Sequence, residues 1–124
     1  EFILRFNMHV KNFLEAHAKD LDIHRIISLE MQKNTPLFQE LLENIFLKTQ
    51  MTIGLFFKIA QDSGVIRKDL EVKELTIILQ GILSYNLAID HIRESRNSPT
   101  LSNPETIKTI MFHIQETFLN GILG

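Results

Sequence analysis

Apolar residues recur every three to four positions along this chain, and the recurrence divides it into five helical stretches. In residues 2–18, Ile3, Phe6, Val10, Phe13 and Leu14 form one stripe, widened by Met8 and Ala16. Asp20-Leu21-Asp22 breaks the period, and Asp22 is the expected N-cap of a shorter helix reaching Lys33. Its expected buried face is Ile23, Ile26 and Ile27 with Glu30 or Met31. Asn34-Thr35-Pro36 then stops one helix and starts another. Thr35 caps, and Pro36 takes the first helical position, where its missing N–H costs nothing. From Pro36 to Asp62 the period runs on, which predicts a helix of roughly 40 Å at about 1.5 Å per residue. Its expected core stripe is Phe38, Leu41, Leu42, Ile45, Thr49, Thr52, Leu55, Phe56 and Ile59. Gly54 weakens this helix by about 1 kcal/mol relative to Ala, a sign of close packing.

Gly64 stands just past that helix, where a residue tolerant of positive φ closes the last turn. Val65, Ile66 and Leu70 are apolar and predict a connection pinned to the core. Asp69 is the cap candidate for the next helix, with Glu71 and Glu74 placing negative charge in its first turn. Residues 71–94 are apolar nearly all round, so this helix is expected to be sandwiched between neighbours. A polar loop over 95–103 leads to a last helix starting near Pro104, with Ile107, Ile110, Met111, Ile114 and Phe118 on one side. Phe112 and Leu119 flank that stripe. With no strand pattern, the expected fold class is all-α, and residues 1–124 form one domain.

One string carries more than periodicity. A helix ending in Gly64 is followed by Ile66, Arg67, Asp69, Leu70, Glu71 and Leu75, and then by a helix containing Gly81. This string resembles the ligand-binding domain of TetR-family transcriptional regulators. A weaker likeness lies upstream, where Glu30 is followed by Asn34-Thr35-Pro36-Leu37 at a helix junction. The resemblance implies a five-helix bundle whose last two helices pair with those of a second copy. It also implies a DNA-reading helix-turn-helix domain N-terminal to this chain. The opening Glu1-Phe2, with no Met, fits a fragment of such a protein, and Glu-Phe is readable as a cloning remnant.

Composition narrows the remaining classes. Hydrophobic residues at 44% and charged residues at 23% are globular values that argue against disorder. The absence of cysteine excludes a disulfide scaffold and thiolate-bound metal, and suits a reducing cytoplasm. A net charge of -2 argues against a nucleic-acid surface on this chain, since phosphate binding needs a basic patch. No uninterrupted apolar run approaches the roughly 18 residues of a membrane span, so no membrane partner is expected.

Catalytic and metal chemistry find little support. His17, Asp20 and His24 would align on a continuous helix and suit zinc or nickel, but the break at 20–22 removes the alignment. His113 and Glu116 stand in the reverse of the order used in di-iron bundles, without a second copy. His24 and Ser28 share a helix face without a strained nucleophile turn or an oxyanion loop. No catalytic residue, metal or cofactor is therefore expected, and the protein is read as a non-enzyme. A small-molecule pocket is better supported, because polar groups interrupt apolar stripes. Thr49 and Thr52 follow Ile45 and precede Phe56, while Tyr85 and Asn86 lie between Ile82 and Ile89. Phe6, His9, Phe13, Ile27, Met31 and Phe46 are the expected apolar wall. The bland alternative is that the Thr hydroxyls bond the preceding turn and Tyr85 reaches solvent.

The last two helices also carry more apolar surface than the other three can cover. Burying each large side chain is worth roughly 1.5–3 kcal/mol, so a two-fold four-helix bundle is the expected remedy. Its expected seam is Leu79, Ile82, Ile107, Ile110, Met111, Ile114 and Phe118. The resulting expectation is a cytoplasmic, homodimeric sensor domain of a TetR-like repressor, controlled by a small apolar effector. The alternative is a helical-bundle interaction domain with a solid core and no small-molecule pocket.

Overall fold

The computed structural model describes the backbone of residues 1–124 and all side chains except those of Leu21, His24, Ser28, Leu42 and Ile45. Those five include members of the His17–Asp20–His24 and His24–Ser28 candidates and two positions of the expected core stripe, which thus lie outside the described residues. The chain is all-helical. Helix α1 is Phe2–His17, α2 is Leu21–Lys33, α3 runs over 36–62, α4 is Val72–Ala88, α5 is Asp90–Ser95 and α6 runs over 104–122. Among the described residues there is no strand, only an isolated antiparallel bridge between Ile66 and Leu123.

Local signals place most boundaries. Thr35 Oγ1 accepts from the Phe38 amide at 3.3 Å and donates to Glu30, closing the start of α3 around Pro36. Asn103 accepts from the Glu105 amide at 3.0 Å, with Pro104 in the first turn of α6. Gly64 adopts φ 85°. Its amide donates to Gln61 O at 3.1 Å and that of Val65 to Ala60 O at 2.9 Å, the paired bonds of a Schellman end. Two expected caps are corrected. A 3₁₀ turn over Ala18–Asp20 puts Asp20, not Asp22, at the start of α2. Glu71, not Asp69, holds the cap position of α4.

The helix expected over 71–94 is divided at Ile89, where ψ falls to 1°. The cause is a buried polar cluster. Asp90 turns inward and accepts from the Leu101 amide at 3.0 Å. Arg93 pairs with Asp90 at 3.0 Å and donates to Asn86 Oδ1 at 2.7 Å and Asn86 O at 3.0 Å. One carboxylate thus ties the 96–103 loop to the end of α4, and the helix bends to bring it there.

The long helix α3 exists as expected, but its buried face does not follow the expected stripe. Leu42–Phe46 forms a π turn between Pro36–Leu41 and Leu47–Asp62. A π turn holds one extra residue, which rotates everything beyond it by about 100° relative to an unbroken α-helix. Beyond the turn, Leu55 and Ile59 face outward and Thr52 is exposed, while Phe57, Ala60 and Gln61 are buried and Ile53 and Phe56 pack against the core. A second π turn, Gln115–Leu119, interrupts α6 and brings Leu119 to full burial beside the half-buried Phe118.

The core lies between α1, the second half of α3, α4 and α6. Phe6, Val10 and Leu14 meet Phe57, Leu75, Leu79, Leu83, Leu87, Ile107, Ile114, Leu119 and Ile122. Among the connection's apolar residues, Ile66 is fully buried, Leu70 half-buried and Val65 exposed. Helix α2 contributes no buried side chain among those described. Ile23, Ile26 and Met31 of its expected buried face are exposed, leaving Ile27 and Glu30 half-buried. Nor is α4 covered all round, since Ile77, Ile78 and Tyr85 face outward. By length and mean hydropathy Val72–Ser95 is apolar enough to cross a membrane, although Lys73, Glu74, Gln80, Asn86 and Asp90 interrupt its apolar run. Its Leu75, Leu79, Leu83 and Leu87 side faces the chain's own core.

Candidate ligand cavity

Three elements enclose a cavity of about 210 Å³: α1, the second half of α3, and α4. Alpha-helical spacing on α1 aims Phe6, His9, Val10 and Phe13 at it, because positions three and four apart share one face. Beyond the π turn, α3 presents Thr49, Thr52, Ile53 and Phe56. Leu79 and Leu83, one turn apart on α4, complete the lining. The floor is apolar and formed by the buried Phe6, Val10, Leu79 and Leu83, while His9 and Thr52 are exposed at the mouth.

An aromatic cluster holds the wall in place. The Phe56 ring stacks on Phe2 at 5.1 Å and meets the His9 ring edge-on at 5.3 Å. Behind it, Phe6 and Phe57 both contact Phe118, at 5.9 and 6.2 Å. Such pairs add roughly 0.5–1.5 kcal/mol each beyond area burial, which fixes ring orientation. None of the lining residues carries a formal charge apart from any proton on His9. Thr52 Oγ1 donates to Lys48 O at 3.1 Å, the back-bonding of a hydroxyl to its preceding turn.

Of the ten residues expected to bind a ligand, Phe6, His9, Phe13, Thr49 and Thr52 come together here. Ile27, Met31, Phe46 and Tyr85 do not line the cavity; Met31 and Tyr85 are exposed, and the Phe46 ring lies 6.4 Å from Phe38. Asn86 is engaged in the Arg93 cluster, donates to Ile82 O at 2.8 Å and lines a separate groove. The lining residues missed were Val10, Ile53, Phe56, Leu79 and Leu83. Val10 shares the α1 stripe with Phe6 and Phe13, so its signal was present. Phe56 stands on the expected stripe with Thr49 and Thr52, and Ile53 is one turn from Thr49 on the same face, so their signal was present too.

The seam candidates divide in the same way. Leu79, Ile107 and Ile114 are buried within the chain, and Leu79 belongs to the cavity, so these three have little surface left for a second copy. Phe118 is held against Phe6 and Phe57, and Met111 packs on the core. Ile82 and Ile110 line the open groove between α4 and α6, together with Thr109, His113 and Thr117, and the buried Ile114 forms part of the same lining. Phe112 and Tyr85 stand exposed on the same two helices.

The string from Gly64 to Leu75 is built as a clamp, and none of its residues lines the cavity. Arg67 grips Asp69 with two bonds, Nε to Oδ1 at 3.1 Å and Nη2 to Oδ2 at 2.7 Å. Its Nη1 reaches Gly121 O at 3.1 Å, and its amide reaches Ile122 O at 2.9 Å. The hydrogen bond from Arg67, followed by its charge, holds the Asp69 carboxyl below the usual carboxylate range. Reciprocally, the bond to Asp69 and then its charge raise the Arg67 guanidinium. Gln61 Nε2 donates to Arg67 O at 3.0 Å and Leu70 O at 2.8 Å, so the loop's carbonyls are satisfied from α3. Among the described residues, no group of three His, Asp or Glu side chains stands ready to hold a metal ion. Comparison with protein-family models, curated proteins and solved structures finds no match for this chain.

Proposed function

We propose that this chain is the effector-binding and homodimerisation domain of a cytoplasmic TetR-like transcriptional repressor, with DNA read by an N-terminal domain outside it. The cavity between α1, α3 and α4 carries the reading: it is apolar at the floor, polar at the mouth, and collects Phe6, His9, Phe13, Thr49 and Thr52. An effector seated there touches three helices at once. It shifts the spacing of the DNA-reading heads in so far as it binds one arrangement of those helices better than the other. The test is thermal unfolding with ethylbenzene as an apolar probe. Tm should rise with probe concentration. In Ile53→Phe, whose larger ring takes up cavity space, the rise should be lost. An absent rise, or an equal one in the variant, removes the sensor reading.

The proposed partner is a second copy, docked over the α4–α6 groove. Ile78 and Tyr85 of α4 and Phe112 of α6 are exposed on the two helices that carry the half-buried groove residues Ile82 and Ile110, apolar surface of the sort that two-fold bundles cover. Phe112→Glu combined with Ile78→Glu should convert dimers to monomers in sedimentation without unfolding the chain, since both side chains are exposed. Dimers that persist in the double variant place the seam elsewhere.

A further inference from the structure

The lining of the cavity selects among apolar effectors, and this step rests on the cavity being a ligand site. Volume comes first. At about 210 Å³ the space exceeds the roughly 150 Å³ apolar cavity known to accept benzene, which suits one substituted ring. Charge comes second. No Asp, Glu, Lys or Arg lines the site, so apart from any proton on His9 at the mouth an ionised carboxylate or amine would find no counter-ion there.

Hydrogen-bond direction comes third. The Thr52 proton is committed to Lys48 O, so the hydroxyl oxygen offers a guest only lone pairs. His9, across the mouth and edge-on to Phe56, can supply a further ring nitrogen. The half-buried Thr49 adds a second hydroxyl to the lining, while Val10, Leu79 and Leu83 offer a guest no polar side-chain atom. We infer that the effector is a neutral, single-ring aromatic compound bearing one hydroxyl donor, a phenol, with its ring on the Leu79–Leu83 floor and its hydroxyl at the mouth toward Thr52.

Isothermal titration of the chain with 4-ethylphenol, 4-ethylanisole and 4-ethylbenzoate separates the possibilities. The phenol should bind about three- to tenfold tighter than its methyl ether, the value of one neutral hydrogen bond. The benzoate should be the weakest of the three. Thr52→Val, at an exposed position that leaves the shape intact, should bring the phenol down to the ether's affinity, while Thr52→Ser keeps the preference. If the ether or the benzoate binds as tightly as the phenol, the cavity remains a ligand site and the phenol assignment falls. If none of the three binds, the cavity reading falls with it.

Discussion

The two ends of α3 stand in different surroundings. At its C-terminal end, Ala60 and Gln61 are buried and the chain leaves through a Schellman turn. The loop beyond it is tied to the C-terminus by Arg67 and by the Ile66–Leu123 bridge. At the other end, neither Pro36–Leu41 nor the described part of α2 buries a side chain. Ile23, Ile26, Leu29, Met31 and Leu37 are each at least 50% exposed there. Both regions have amphipathic sequences. Helix α2 does lie against α4, yet among its described apolar residues only Ile27 is even half-buried, so periodicity reports a face that can be buried rather than one that is. The cavity lies between the two, with its floor on the anchored side.

The largest expected effect follows from that contrast. Phe57→Ala, at 0% exposure, should lose about 3–5 kcal/mol of stability in urea unfolding. Ile26→Ala, at 55% exposure, should stay within about 0.5 kcal/mol of the parent. Similar losses from both would mean that α2 is covered and that the contrast is false.

The two glycines of α3 and its exit sharpen the comparison on a smaller scale. Gly64→Ala places a Cβ at φ 85° and should destabilise by about 1–2 kcal/mol, although the space around it is open. Gly54→Ala should do the opposite. Its Cβ would meet Thr76 Oγ1 at 3.7 Å, an ordinary contact, so up to about 1 kcal/mol of helix propensity is gained. Equal effects from the two, measured in the same unfolding experiment, would contradict the assigned backbone geometry.

Features set by a few adjacent residues were legible in the sequence: the Gly64 exit, the Thr35-Pro36 start and the Asn103-Pro104 region. Those set by tertiary packing were not. The π turn at Leu42–Phe46 leaves no mark in the periodicity, because Phe56 and Phe57 offer an aromatic at either phase. Both then find ring partners, Phe2 for one and Phe118 for the other. The same ambiguity affected α4. A helix apolar nearly all round does not say which face meets a cavity, and Leu79 was assigned to the seam though it lines the floor. Asp90 was hidden for another reason: its partner, the Leu101 amide, lies in a loop whose path no local pattern predicts.

Methyl-resolved NMR during titration with ethylbenzene tests the central claim most directly. Occupation of the cavity predicts saturable shifts at Val10, Ile53, Leu79 and Leu83, with Ile23, Ile26 and Leu29 unmoved. Shifts confined to the exposed methyls of α2, or spread over all exposed apolar faces, would contradict the account. The uncovered stripes, rather than the cavity, would then be where this chain takes up apolar molecules.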